Sequence, residues 1–202
     1  MKTPTKLQVK DMVTLHALWI SGDKKGKRAN FSNLDLTGFD FSFSILDRAN
    51  FTGANLTGAN FDKARLCGAC FDRSIFSKAY FRYAYLHKAT FKKSIGISAR
   101  FDYAKLIAAD MAEARLLKCN FEFANACGAD LRLADLRQAN LRNADFSGAD
   151  MTLVKFEDNI TYNTVFDGAD LTATKIDKMQ SGYRYLGALI PEHMKLENIC
   201  YA

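Results

Sequence analysis

Large apolar residues recur every five residues along most of this chain, and this period restricts the possible folds more than any other feature. Thirty positions spaced by five run from 31 to 176, and 27 of them carry Phe, Leu, Met or Ile, the exceptions being Gly96, Ala126 and Thr161. Two residues earlier stands a residue that is usually small, and it is Ala at 20 of 30 positions. A period of five fits neither an α-helix nor a β-strand. It predicts a chain that turns every five residues and directs one large and one small side chain inward each time.

The residues around each large apolar position are typical of turns. Asn or Asp often precedes it and Gly often stands two residues after it, as in the segment ANLTG at 54–58. The repeated motif A(N/D)(L/F)XX, seen again as ADLRL at 129–133, resembles the pentapeptide-repeat family over about three-quarters of the chain. The resemblance implies an all-β fold, a right-handed quadrilateral β-helix with four pentapeptides per coil. On that model residues 20 apart lie at a spacing of about 4.8 Å. We therefore expect one interior stack formed by Phe41, Phe61, Phe81, Phe101 and Phe121.

Three segments are expected along the chain. Residues 1–28 are interpreted as an N-terminal cap helix (6–20) followed by a basic loop, and residues 29–176 as the β-helix. Residues 177–202 are interpreted as a C-terminal cap or dimerisation segment. Caps are expected because the end coils of a solenoid expose unpaired backbone and apolar core. The repeat pattern is weakest at 151–165, where the inward positions include Val154, Asn159, Thr161 and Thr164.

Charge and composition exclude several classes of function. The net charge is +6, but residues 1–30 hold seven basic and two acidic residues, which leaves 21 basic and 20 acidic residues in the rest. The nearly neutral body is therefore weak evidence for binding to nucleic acid. No apolar run is long enough to span a bilayer, so no membrane partner is expected. Five cysteines, an odd number, without a secretion signal indicate a cytoplasmic location.

Catalytic and metal-binding motifs are weak. Cys67 and Cys70 form one CxxC, but no second pair or nearby His completes a zinc site. The string GDKKGK at 22–27 is one residue too short for a P-loop and lacks the following Ser or Thr. Catalysis also needs convergent groups in a cleft, which a filled β-helix does not offer. We expect no enzyme, no catalytic residue, no cofactor and no metal.

Reading every twentieth residue predicts columns on the outer surface. The aromatic column consists of Phe43, Lys63, Tyr83, Tyr103 and Phe123, with Tyr80 and Tyr85 nearby. Exposed aromatic residues are enriched in protein interfaces. The alternative is that such ladders only stabilise adjacent coils.

Two charged groups are also predicted on the outer surface. The acidic ladder consists of Asp110, Asp130, Asp150 and Asp170, which could imitate a phosphate backbone or simply satisfy corner amides. Residues 63–93 hold eight basic residues and one acidic residue, and residues 145–170 hold six acidic residues and one basic residue. The basic patch is predicted from the first of these segments and consists of Arg65, Arg73, Lys78, Arg82, Lys88, Lys92 and Lys93.

Three functions remain open at this point. The leading hypothesis is a non-catalytic scaffold that binds a protein partner through its outer faces, with a homodimer through the C-terminal segment as an option. The second follows from the resemblance, which implies that some members imitate B-form DNA and protect or inhibit DNA gyrase or topoisomerase IV. It includes a type II topoisomerase partner or inhibition of a nucleic-acid-targeting defence complex, although the nearly neutral body departs from the strongly acidic mimics. The third is direct nucleic-acid binding through the basic middle coils.

Overall fold

The repeats wind into a right-handed quadrilateral β-helix, as predicted. The computed structural model describes residues 1–177, 183–184 and 188–189. Residues 20 apart pair in parallel, so that Asn50 bridges Asn30 on one side and Cys70 on the other. We number the four faces by their central residues: face 1 contains 31, 51 and each twentieth residue onward, face 2 begins at 36, face 3 at 41 and face 4 at 46.

Within the described residues, regular secondary structure consists of one helix near the N-terminus and short strands in the last coils. Helix α1 spans Lys6–Ile20, and the strands are β1 (Lys155–Glu157), β2 (Thr164–Val165), β3 (Lys175–Asp177) and β4 (Tyr183–Arg184). Strand β1 pairs in parallel with β3 at the coil period of 20. Strand β2 pairs in parallel with β4, where Thr164 faces Tyr183 and the period is one residue shorter. In the described coils between α1 and β1, each side contributes single bridges rather than a strand.

Nearly every corner in the described coils is a β-turn with a left-handed residue. The N–H of Ala54 donates to the carbonyl of Phe51 at 3.0 Å, and this bond repeats from corner to corner. All 29 positions from 33 to 173 that lie two residues after a central residue have a positive φ, which is the type II pattern. Only seven of them are Gly. The predicted glycine preference is therefore partial, because parallel hydrogen bonds to the next coil hold the other residues in the same conformation.

Two stacks of phenylalanine rings run through the interior of the first coils, beside buried Leu and Ala side chains. The ring centroids of Phe41, Phe61, Phe81, Phe101 and Phe121 lie 4.9–5.0 Å apart with interplanar angles of at most 9°. The predicted continuous stack is thus confirmed. On face 1 a second stack runs from Phe31 to Phe91 at 4.7–4.8 Å. The two stacks meet edge to face, as Phe61 and Phe71 do at 89°, a favourable geometry for aromatic rings.

The N-terminal helix lies against the first coils. Thr5 and Gln8 form a capping box that satisfies the first backbone donors of α1. His16 is fully buried between the helix and the solenoid, where its Nδ1 accepts from the N–H of Ala29 at 2.9 Å. That bond leaves Nε2 to donate to the carbonyl of Asp47 at 3.0 Å. The bonds tie the helix to the start and the end of the first coil.

The segment expected to be weakest, 151–165, continues the coil. Asn159, Thr161 and Thr164 are fully buried. Asn159 donates from Nδ2 to the carbonyl of Leu136 at 2.6 Å, and Thr164 donates from Oγ1 to the carbonyl of Leu141 at 2.8 Å. Polar side chains therefore replace Ala without leaving unpaired donors in the core. Most of the predicted C-terminal segment, 177–202, lies outside the described residues.

Candidate interaction surface

The aromatic column lies on the outside of the rod, at the corner between faces 3 and 4. The exposed fractions of its aromatic residues are 69% for Phe43, 48% for Tyr83, 42% for Tyr103 and 45% for Phe123. All five residues of the column occupy the left-handed turn position. Each side chain therefore projects from the same point of its coil, one above another.

The rings of the column stack on one another. The centroids of Tyr83 and Tyr103 are 4.7 Å apart and those of Tyr103 and Phe123 are 4.8 Å apart, each pair at 9°. Lys63 interrupts the ladder and places Nζ 5.3 Å from the ring centroid of Phe43. The stacking covers both faces of Tyr103 and one face each of Tyr83 and Phe123. The stacking contributes to the cohesion of adjacent coils, and it also fixes the rings before any partner arrives.

Cation–π contacts extend this surface on both sides. Arg82 lies over the ring of Tyr80 at 5.6 Å, and Nζ of Lys105 lies 4.8 Å from the ring centroid of Tyr85. Such contacts stabilise by roughly 0.5–1 kcal/mol at exposed sites. The pair of Tyr85 and Lys105 was not predicted, although both stand in the column formed by every twentieth residue from 45, and this column is the sequence signal for the contact.

The acidic ladder forms one row of adjacent carboxylates at the leading corner of face 1. Asp110, Asp130, Asp150 and Asp170 bridge in succession along the backbone. Each accepts, through Oδ1, a hydrogen bond from the backbone N–H two residues later, at distances of 2.8–3.3 Å. These are Asx-turn contacts, the corner chemistry that the sequence left as the alternative.

Cations from neighbouring turns compensate the ladder. Lys92 pairs with Asp110 at 2.7 Å, and Arg132 pairs with Asp130 at 2.6 Å and with Asp150 at 3.5 Å. The hydrogen bonds from Arg132 lower the pKa of Asp130 below its ordinary value. Three of the four carboxylates thus share two cations, and the row is not an uninterrupted line of negative charge.

The predicted basic patch is not one surface, because winding distributes its residues over all four faces. Arg65 and Lys88 lie on face 4, Arg82 on face 3 and Lys78 on face 2, whereas face 1 carries Arg73, Lys92 and Lys93. Four of the seven are already paired with carboxylates, namely Arg65 with Asp47, Arg82 with Asp62, Lys92 with Asp110 and Lys93 with Glu113. A run of positive charge in the sequence therefore gives only small separate groups in space.

The cysteines do not assemble a metal centre within the described part of the chain, where no group of three His, Cys, Asp or Glu side chains is placed to hold an ion. Cys67 and His87 lie in adjacent coils with Sγ 3.8 Å from Nδ1. Burial raises the pKa of the Cys67 thiol, which keeps it protonated and weakly nucleophilic. Among the described helices there is also none with the length and apolar character that crossing a membrane requires.

Five-residue sides, four-sided coils and side chains displayed in columns define a solenoid whose variable surface is its exterior. The family model described as pentapeptide repeats matches residues 27–62, 59–95, 97–132 and 119–158, with eight copies of the repeat. The chain belongs to the pentapeptide-repeat family.

Solved structures share the fold. Full-length QnrB1, described as a plasmid-mediated fluoroquinolone resistance protein, is 22% identical with a TM-score of 0.74, over 80% of this chain and 84% of that one. HetL from the cyanobacterium Nostoc sp. strain PCC 7120, described as involved in heterocyst differentiation regulation, is 19% identical with a TM-score of 0.52, over 86% of this chain and 90% of its own. No curated protein matches the sequence. At these identities the likeness extends to the fold alone.

Proposed function

We propose that this protein is a non-catalytic scaffold that binds a protein partner through the aromatic column. The observation that carries the proposal is the exposed stack of nearly parallel rings formed by Tyr83, Tyr103 and Phe123. Aromatic side chains contribute much of the binding energy of protein interfaces because they bury a large area with few rotatable bonds. Stacking restricts these rings in the free protein, which reduces the entropy lost on association.

The filled core supports a role for the exterior. The central residues of the coils are buried from Phe31 to Leu171, and in the first coils two aromatic stacks pack edge to face. Chemistry that depends on convergent groups in a desolvated pocket has no place inside such a rod. Variation is accommodated at the outward positions, which is where a scaffold carries its recognition residues.

The test is a pull-down with a matched control. The double variant Tyr83→Ala/Tyr103→Ala removes the centre of the column, and Ala already occupies the same turn position at Ala108 and Ala173. The control Leu133→Ala/Leu153→Ala removes two exposed apolar side chains from the same turn position on face 1. We expect the column variant to lose partners that the wild type and the control both retain. Identical partner sets for all three proteins would reject the proposal.

A second candidate is modulation of a type II topoisomerase by DNA mimicry. Two observations favour it, namely the acidic stretch at 145–170 and the structural likeness to QnrB1. The pairing of Lys92 and Arg132 with the acidic ladder weighs against it. A gyrase supercoiling assay with and without a quinolone provides the test. Neither inhibition nor protection at excess protein would exclude this candidate.

A further inference from the structure

Face 4 adjoins the aromatic column and has an unusual outer surface between residues 45 and 128. Ile45, Tyr85 and Ile107 are exposed on it. The corner of face 4 that lies away from the column has, in successive coils, the turn residues Arg48, Gly68, Lys88, Ala108 and Gly128. Three of the five are therefore small. The small residues leave little to obstruct a chain lying along the rod.

The charge of this stretch differs from that of face 3 on the other side of the column. The outward positions of face 4 from 45 to 128 carry four basic residues (Arg48, Arg65, Lys88 and Lys105) and one acidic residue (Asp47), a net charge of +3. Face 3 from 40 to 122 carries four acidic residues (Asp40, Asp62, Asp102 and Glu122) and two basic residues (Arg82 and Arg100), a net charge of −2. The net charge therefore has opposite signs on the two sides of the aromatic column.

The cations of face 4 are mostly available to a ligand. Asp47 pairs with Arg65, and within the described chain no ion pair engages Arg48, Lys88 or Lys105. Lys105 is held over the ring of Tyr85. A carboxylate that reaches Lys105 would therefore also contact an aromatic edge.

We propose that face 4 and the aromatic column together bind an extended acidic segment of the partner protein. This inference rests on the proposed scaffold function and adds the chemistry of the partner. The stretch from Ile45 to Asn125 covers four steps between coils, about 19 Å at the β-sheet spacing, which six extended residues match. Carboxylates of the segment would face Lys88 and Lys105, and its apolar side chains would contact the column and Ile107.

Single-stranded nucleic acid fits this surface less well. Its bases bind by stacking on exposed aromatic faces. Here both faces of Tyr103 and one face each of Tyr83 and Phe123 are already covered, and Lys105 covers a face of Tyr85. The surface offers ring edges and ammonium groups, which suit the carboxylates and apolar side chains of a peptide.

The test uses a fluorescein-labelled peptide of alternating glutamate and leucine, with fluorescence anisotropy as the readout. Lysine–leucine peptide and short oligothymidine serve as comparison ligands. The variant Lys88→Glu/Lys105→Glu reverses two cations of face 4. The control Lys118→Glu/Arg115→Glu reverses two exposed cations at the same repeat positions on the opposite face 2, with the same change in net charge.

We expect the acidic peptide to bind the wild type and the control alike, and to bind the face 4 variant roughly tenfold more weakly, since each reversal turns a weak attraction into a repulsion. Added salt should weaken the binding. Equal loss in the two variants, or tighter binding of oligothymidine than of the acidic peptide, would overturn the inference. If the Tyr83→Ala/Tyr103→Ala variant loses its partner while the face 4 variant keeps both partner and peptide, the scaffold function stands and the acidic segment is wrong.

Discussion

Phe76 occupies the space that Gly96 leaves open in the next coil of face 2. A Cβ atom at position 96 would overlap Cε2 of the Phe76 ring. Gly96 does not have a positive φ, so space rather than backbone conformation requires glycine there. The thiol of Cys119 then donates to the carbonyl of Gly96 at 2.8 Å. One oversized and one minimal residue thus compensate each other within a single stack.

This relationship predicts strong coupling between the two positions. Gly96→Ala alone should destabilise the fold by about 1–3 kcal/mol, the usual cost of overpacking. In a Phe76→Leu background the same change should cost much less, because the shorter side chain withdraws from the added methyl group. Urea unfolding of the four proteins of the double-mutant cycle measures the coupling. Additive effects would show that the ring and the glycine are independent.

His16 predicts a loss of stability at mildly acidic pH. Burial lowers the pKa of His16 below its ordinary value of 6.5, against the opposing attraction of Asp47 and with a smaller contribution from Arg28. The folded protein therefore binds fewer protons than the unfolded chain between the two pKa values, and stability falls as the pH decreases through that window. Protonation would also break the bond from the N–H of Ala29.

The measurement is the thermal midpoint between about pH 7 and 5. We expect a decline in the wild type that is smaller in His16→Leu, although this variant is less stable at neutral pH. His87→Gln serves as the control, because it removes a histidine that does not join the helix to the solenoid. A decline of equal size in His16→Leu would assign the pH dependence to other groups.

The left-handed corners predict a stabilising surface substitution. Lys118 has a φ of 59°, a conformation that costs most residues but is tolerated by Asn. Lys118→Asn should therefore raise the free energy of unfolding by up to about 1 kcal/mol. Arg115→Asn makes the same change in charge at a position of the same repeat without a positive φ, and should not stabilise. Equal effects of the two substitutions on the urea midpoint would rule out the conformational explanation.

The acidic ladder predicts a difference between two substitutions of one residue. Asp150 accepts hydrogen bonds from the N–H and the hydroxyl of Thr152 at 3.1 and 2.7 Å. Asp150→Asn keeps a side-chain oxygen and should leave stability nearly unchanged, whereas Asp150→Ala should cost about 1 kcal/mol. The comparison separates the corner hydrogen bonds from the negative charge. A similar loss in both variants would mean that the charge, rather than the acceptor, is what the corner needs.

The architecture could be predicted because the five-residue period determines which side chains point into the core. Once coils of 20 residues are assumed, Phe41 and Phe61 must stack, and so must Tyr83 and Tyr103. The sequence could not show that Phe76 extends into the space at Gly96, because this depends on side-chain volumes in adjacent coils. It also could not show His16 bonding to Ala29 and Asp47, since nothing in the pattern places the helix on a particular face.

The charged surfaces were predicted less well for a different reason. Counting basic residues along 63–93 treats neighbours in sequence as neighbours in space. Five residues later, however, the chain already runs along another side of the rod. Lys92 and Arg132 neutralise part of the negative charge of the acidic ladder. The ion pair of Lys92 with Asp110, for example, joins residues that are 18 apart in the sequence and belong to different columns. Only the wound structure brings these contacts together.

The unbroken spacing of the repeats makes the surface sensitive to the length of any insertion. Adding 20 residues at a corner would lengthen the rod by one rung and return every later side chain to its own column. Adding only five would keep the core pattern yet rotate all that follows by a quarter turn. Tyr103 would then no longer lie above Tyr83, and the ladder would be cut without any loss of apolar residues. A chain of this kind can thus change what it displays by rotation alone, while its interior remains intact.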